Sequence, residues 1–155
     1  MTTNLTRIAL AIAGACLILF ALGTSAYADT CSTKSTAGNW GFSYNGVAIT
    51  SSGAVPINSV GRFTQDAEGA VTGTEVRNLA GAPADETLTG KMTVNSDCTA
   101  TFEANIFEGG QLVRTSVLAI VFLNKQTEAS GVFEKVTLPT DINLPVVITV
   151  QAKRL

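Results

Sequence analysis

The chain has 155 residues, a formal net charge of −2 and no histidine. The missing imidazole excludes Ser-His-Asp and Cys-His nucleophilic machinery and histidine-ligated zinc. Ten basic and twelve acidic side chains, scattered singly, form no basic stripe for nucleic acid or an anionic membrane surface.

Residues 1–28 read as a signal peptide. Arg7 supplies the positive end, residues 8–22 are an apolar run, and Ala26-Tyr27-Ala28 is the small-x-small pattern that precedes cleavage. The run is shorter than the roughly 20 residues a spanning helix needs. Cys16 lacks the large aliphatic residue three positions before it that lipidation expects. Cleavage after Ala28 predicts a secreted or periplasmic protein of residues 29–155, with one core and no stable membrane insertion. That segment keeps Cys31 and Cys98, an even pair that predicts a disulfide in an oxidising compartment.

The first strand is predicted at 38–44, where Trp40, Phe42 and Tyr44 share one face. Asn45-Gly46 signals a turn or bulge before residues 47–49, and the Ser/Gly/Pro-rich residues 50–56 read as a loop. Residues 57–65 and 70–77 form a hairpin around Asp66-Ala67-Glu68-Gly69, with Val60 and Arg62 on one face and Gly61 and Phe63 on the other. Residues 78–85 have no periodicity and read as a second loop.

The clearest pattern in the chain is 87–106. Leu88, Gly90, Met92 and Val94 fall on one face, and after Asn95-Ser96-Asp97 the alternation resumes with Cys98, Ala100, Phe102, Ala104 and Ile106 facing the same way. A hairpin with one apolar face must bury it against more sheet. Residues 112–123 are the longest β-run and are apolar on both faces from 117, which predicts a central position or an outer cover. Residues 128–138, a rigid loop at 139–145 and a last strand at 146–153 complete the chain. About eight strands with mostly short connections predict an all-β fold, a single antiparallel up-and-down β-barrel of about eight strands, with a β-sandwich as the alternative.

The chemistry is sparse. The acidic residues form no calcium-loop pattern, and the glycines precede no helix that would cradle a phosphate, so neither metal nor cofactor is expected. Carboxylates at Glu75, Glu86, Glu103 and Glu134 lie in strands, where one facing inward beside Arg62 or Arg114 would be an acid or base without histidine; alternation alone does not phase them. The favoured function is a non-enzymatic barrel binding a small apolar ligand through Trp40, Phe42, Tyr44, Phe63 and Phe102, as monomer or weak homodimer. Its rivals are a cyclase-like enzyme and a solid-core structural or surface-interaction protein of the antigen type.

Two resemblances bear on this. Lys34 followed by Gly38-Asn39-Trp40 resembles the G-x-W region of lipocalins, whose tryptophan closes the base of an eight-stranded ligand-binding barrel. Residues 38–42, 60–74 and 89–101, with the closing Ala152-Lys153-Arg154, resemble small secreted bacterial proteins thought to be calycin-like barrels of the lipocalin or allene-oxide-cyclase kind. The resemblance implies a fold. It maps no residue onto a cyclase site.

Overall fold

The computed structural model describes residues 30–155; the leader and cleavage site expected at residues 1–28 lie outside the described residues. Eight strands follow in chain order: β1 (Gly38–Thr50), β2 (Gly53–Gln65), β3 (Ala70–Leu79), β4 (Ala82–Val94), β5 (Thr99–Glu108), β6 (Gln111–Leu123), β7 (Glu128–Thr137) and β8 (Val146–Arg154). Each pairs antiparallel with its neighbour in sequence. β8 returns to β1, with Trp40 opposite Arg154 and Ala48 opposite Val146, so the sheet closes as a barrel. Closure removes the unpaired edges that a sandwich would leave. No helix occurs among the described residues.

Period-two alternation sends one set of side chains inward along every strand. The predicted inward face of 87–106 is the observed one: Leu88, Met92, Ala100, Phe102, Ala104 and Ile106 are buried, and they join Trp40, Tyr44, Val71, Leu118, Phe122, Ile148 and Val150 in one core. Two irregularities change the phase elsewhere. Ile106 pairs with Arg114 but Phe107 with Leu112, leaving Val113 as an extra residue; Val117 pairs with Lys135 but Leu118 with Phe133, leaving Glu134 extra. Both are β-bulges, which bend a strand and re-aim its side chains.

Three sequence expectations are corrected. Asn45-Gly46 neither turns nor bulges: β1 runs straight through it, paired on both sides with β2 and β8, and glycine serves there for close approach, since a Cβ at Gly46 would stand 2.0 Å from the Val147 carbonyl oxygen. Residues 50–56 and 78–85 are not loops; they are strand ends joined by two-residue turns at Ser51-Ser52 and Ala80-Gly81. On the outer face of β6, which the sequence puts at the centre or under a terminus, loop or partner subunit, Val121 and Leu123 stand exposed in the single chain.

The two ends differ. At one end the chain before β1 folds under the barrel and is bonded to it by the Cys31–Cys98 disulfide, whose Cα atoms lie 4.9 Å apart. The predicted pairing is therefore present. There the Trp40 indole is fully buried and donates to the Thr36 carbonyl at 3.1 Å. Gln65 donates to Thr33 O and Thr36 Oγ1, and the Arg154 guanidinium lies over the indole at 5.3 Å while donating to Ser35 O and Ala37 O. The other end carries the tight turns at 51–52, 80–81 and 109–110 and the 138–145 segment, and it is open.

Candidate functional site

The five aromatic residues named from the sequence all line one cavity in the closed half of the barrel: Trp40, Phe42, Tyr44, Phe63 and Phe102. Phe63 is the hub, 6.2 Å from Trp40, 6.0 Å from Phe42 and 6.4 Å from Phe102 between ring centroids. Phe122 meets Trp40 edge-on at 5.5 Å, and Phe133 meets Tyr44 edge-on at 5.2 Å; neither was named in advance. Glycines make room for the rings. A Cβ at Gly61 would stand 2.7 Å from the Phe42 ring, and one at Gly90 would stand 2.7 Å from the Phe102 ring, so each ring lies flat on bare backbone.

The rings do not fill the interior. About 60 Å³ remains, counted as room for the centres of water-sized spheres. One water needs roughly 10–15 Å³ on that measure, so the space exceeds a packing defect.

A buried polar layer roofs this cavity. β3 and β4 pair Glu75 directly opposite Glu86, and both point inward. Arg114, on the same face of β6 as Ser116 and Leu118, points toward them. Arg114 donates to both Glu86 oxygens, at 2.8 and 2.7 Å, to Glu75 Oε1 at 2.9 Å and to the Tyr44 hydroxyl at 3.3 Å. The Ser59 hydroxyl donates to Glu75 Oε2 at 2.6 Å, and Arg77 Nε donates to Glu86 Oε1 at 2.7 Å. Of the charged residues proposed from the sequence, Glu75, Glu86 and Arg114 thus meet. Arg62, Glu103 and Glu134 face solvent, Glu134 as the bulged residue of β7.

The two carboxyls are driven apart. Burial pushes Glu75 above the ordinary carboxyl range; Ser59 and Arg114 pull it back without cancelling the rise, and the Glu86 charge opposite adds to it. Burial acts on Glu86 as well, but hydrogen bonds and charge from Arg114 and Arg77 outweigh it and hold Glu86 below that range. Burial and the Glu75 charge push the Tyr44 phenol up, so it stays neutral. Arg114 resists the penalty of its own burial because Glu86, Tyr44 and Glu75 surround it, and it stays charged. The layer therefore pairs one firm ion bridge with a carboxyl that keeps its proton more readily.

Above the layer the barrel widens into a vestibule of about 310 Å³ at the open end, walled by Ala48, Val55, Ile57, Leu79, Leu144 and Ile148 among others, with Arg77, Glu86 and Arg114 at its floor. Sequence reasoning missed the vestibule. Part of its wall, at Val55 and Leu79, comes from strand ends that read as loops. Among the described residues no group of His, Cys, Asp and Glu could hold a metal ion.

No protein-family model and no curated protein matches the chain. Among solved structures it is similar to EF1p2_mFAP2b bound to DFHBI, with a TM-score of 0.56 and 11 % identity, over 81 % of this chain and 100 % of that one. The chain shares that protein's β-barrel fold. It is also similar to a redesigned β-barrel, mFAP1, bound to DFHBI, with a TM-score of 0.49 and 16 % identity, over 79 % of this chain and 98 % of that one. At such identity the likeness to EF1p2_mFAP2b speaks to fold alone.

Proposed function

We propose that this is an exported, non-enzymatic barrel that binds one small, mainly apolar molecule. The observation that carries the reading is the cavity of about 60 Å³ behind five aromatic rings. An eight-stranded barrel is just wide enough either to be filled by side chains or to hold one small ligand. An unfilled core forfeits dispersion contacts that larger side chains would supply, so leaving space in so aromatic a core is consistent with a ligand taking those contacts. Access is through the open vestibule, past the Arg114 layer. EF1p2_mFAP2b, which has the same fold, is bound to DFHBI, and that supports a small-molecule ligand for this barrel. The disulfide and the leader pattern of residues 1–28 support export. The burial of Trp40 at the closed base, under Arg154, supports the lipocalin-like reading.

A second reading, an acid–base enzyme of the cyclase kind, is favoured by one feature: the paired buried carboxyls, with Glu75 at the edge of the apolar cavity. Native mass spectrometry of protein purified from its own source tests the first. It should show a retained small molecule that leaves on denaturation. A bare polypeptide mass, together with no saturable change of Trp40 emission on adding apolar molecules, refutes binding.

A further inference from the structure

Ser116 takes no part in the polar layer. On β6 it is the next inward residue below Arg114, it lines the aromatic cavity, and it is 3 % exposed. Its hydroxyl has no hydrogen-bond partner among the described residues. Its cross-strand neighbours, Ala104 on β5 and Val136 on β7, offer none from their side chains. Buried hydroxyls are nearly always paired, because an unpaired one keeps the full cost of leaving water. The Tyr44 hydroxyl, at the edge of the same space, is taken up by Arg114 and Ser59, which leaves Ser116 as the donor that faces the cavity.

The charges at the roof are already matched. Arg114 is held by Glu86 and Glu75, and Arg77 is shared between Glu86 and Glu108, the latter at 3.6 Å. An anionic head group would face two carboxyls with no free cation in the layer, and displacing a buried pair is costly. A carbonyl oxygen, an acceptor with no charge, fits the one hydroxyl donor at Ser116.

We infer that the aromatic cavity takes a neutral molecule carrying one hydrogen-bond-accepting oxygen, an aryl ketone or aldehyde in class, and that Ser116 receives that oxygen. This rests on the binding reading above. It is tested by calorimetric titration of wild type and Ser116→Ala with three probes of similar shape: acetophenone, its hydrocarbon counterpart cumene, and benzoate. Acetophenone should bind wild type roughly fivefold more tightly than cumene, the worth of about one net hydrogen bond. Ser116→Ala should abolish that preference while binding cumene no worse, and without ligand should melt a few degrees higher than wild type, having lost an unpaired buried hydroxyl. Equal binding of acetophenone and cumene to wild type, a preference that survives the substitution, or benzoate binding tightest overturns the inference and leaves the binding reading standing. No saturable binding of any of the three overturns both.

Discussion

Replacing Arg114 by methionine keeps most of the side chain's length and removes the cation that bridges Glu75 and Glu86. Three charge-assisted hydrogen bonds of 2.7–2.9 Å disappear, and two inward-facing carboxyls are left opposite each other. Breaking one side of a buried ion pair costs about 3–5 kcal/mol. Here Arg77 Nε stays on Glu86 at 2.7 Å, and Arg114 itself is 12 % exposed, so the lower figure applies: about 3 kcal/mol at neutral pH, or roughly 10 °C in melting temperature for a domain of this size. The loss should depend on pH with a definite sign. In wild type, Glu86 is held below its unfolded value, so it contributes stability above about pH 4.3 and loses it as the pH falls through its folded value. Without Arg114, burial outweighs Arg77 and Glu86 joins Glu75 above the ordinary range. A group raised in this way stabilises fully below its unfolded pKa and loses that contribution as the pH rises through its folded value. The gap between R114M and wild type should therefore narrow on going from pH 7 to pH 4. Urea unfolding followed by circular dichroism at both pH values measures it. A gap below about 1 kcal/mol at neutral pH, or one that acid does not change, would refute the ion-bridge account.

Glu75→Gln keeps the shape of the roof but removes a carboxyl whose folded pKa is raised; it should gain on wild type as the pH rises above the ordinary carboxyl range, and calorimetric melts at pH 5 and 8 that show a constant difference would contradict this. Trp40→Ala removes a fully buried ring, its bond to Thr36 and its contact with Arg154, and should cost about 4–5 kcal/mol in urea unfolding followed by circular dichroism, with a loss below about 2 kcal/mol counting against a tightly packed base. In wild type the emission of Trp40, the only tryptophan in the chain, should be blue-shifted; red-shifted emission would place the ring in solvent. Reducing Cys31–Cys98, which spans a separation of 67 residues, should cost roughly 4 kcal/mol, and an unchanged melting temperature would show that the tether adds nothing.

Alternation along residues 87–106 and the aromatic face of Trp40, Phe42 and Tyr44 could be read without coordinates, because a strand with one buried face writes that face into every second residue. Barrel closure followed from the number of strands and their short connections, and the disulfide from an even cysteine pair. The strand ends at 50–56 and 78–85 could not be read. Ser, Gly and Pro there look like loop, and only pairing across the two-residue turns makes Val55 and Leu79 part of the vestibule wall. The polar roof was partly hidden, for a different reason. Glu86 stands two residues before Leu88, on the face that the 87–106 alternation marks as inward, so its direction is written in the sequence; Glu75 and Ser116 lie in strands whose two faces are not told apart by apolar alternation. Arg114 alternates regularly with Ser116, Leu118 and Phe122, but residues 117–123 are apolar on both faces, so β6 by itself does not say which of its faces is the inner one. The bulge at Val113 shifts the phase of the strand only on its turn side, and that shift is decided by pairing with β5, which the sequence of β6 does not contain.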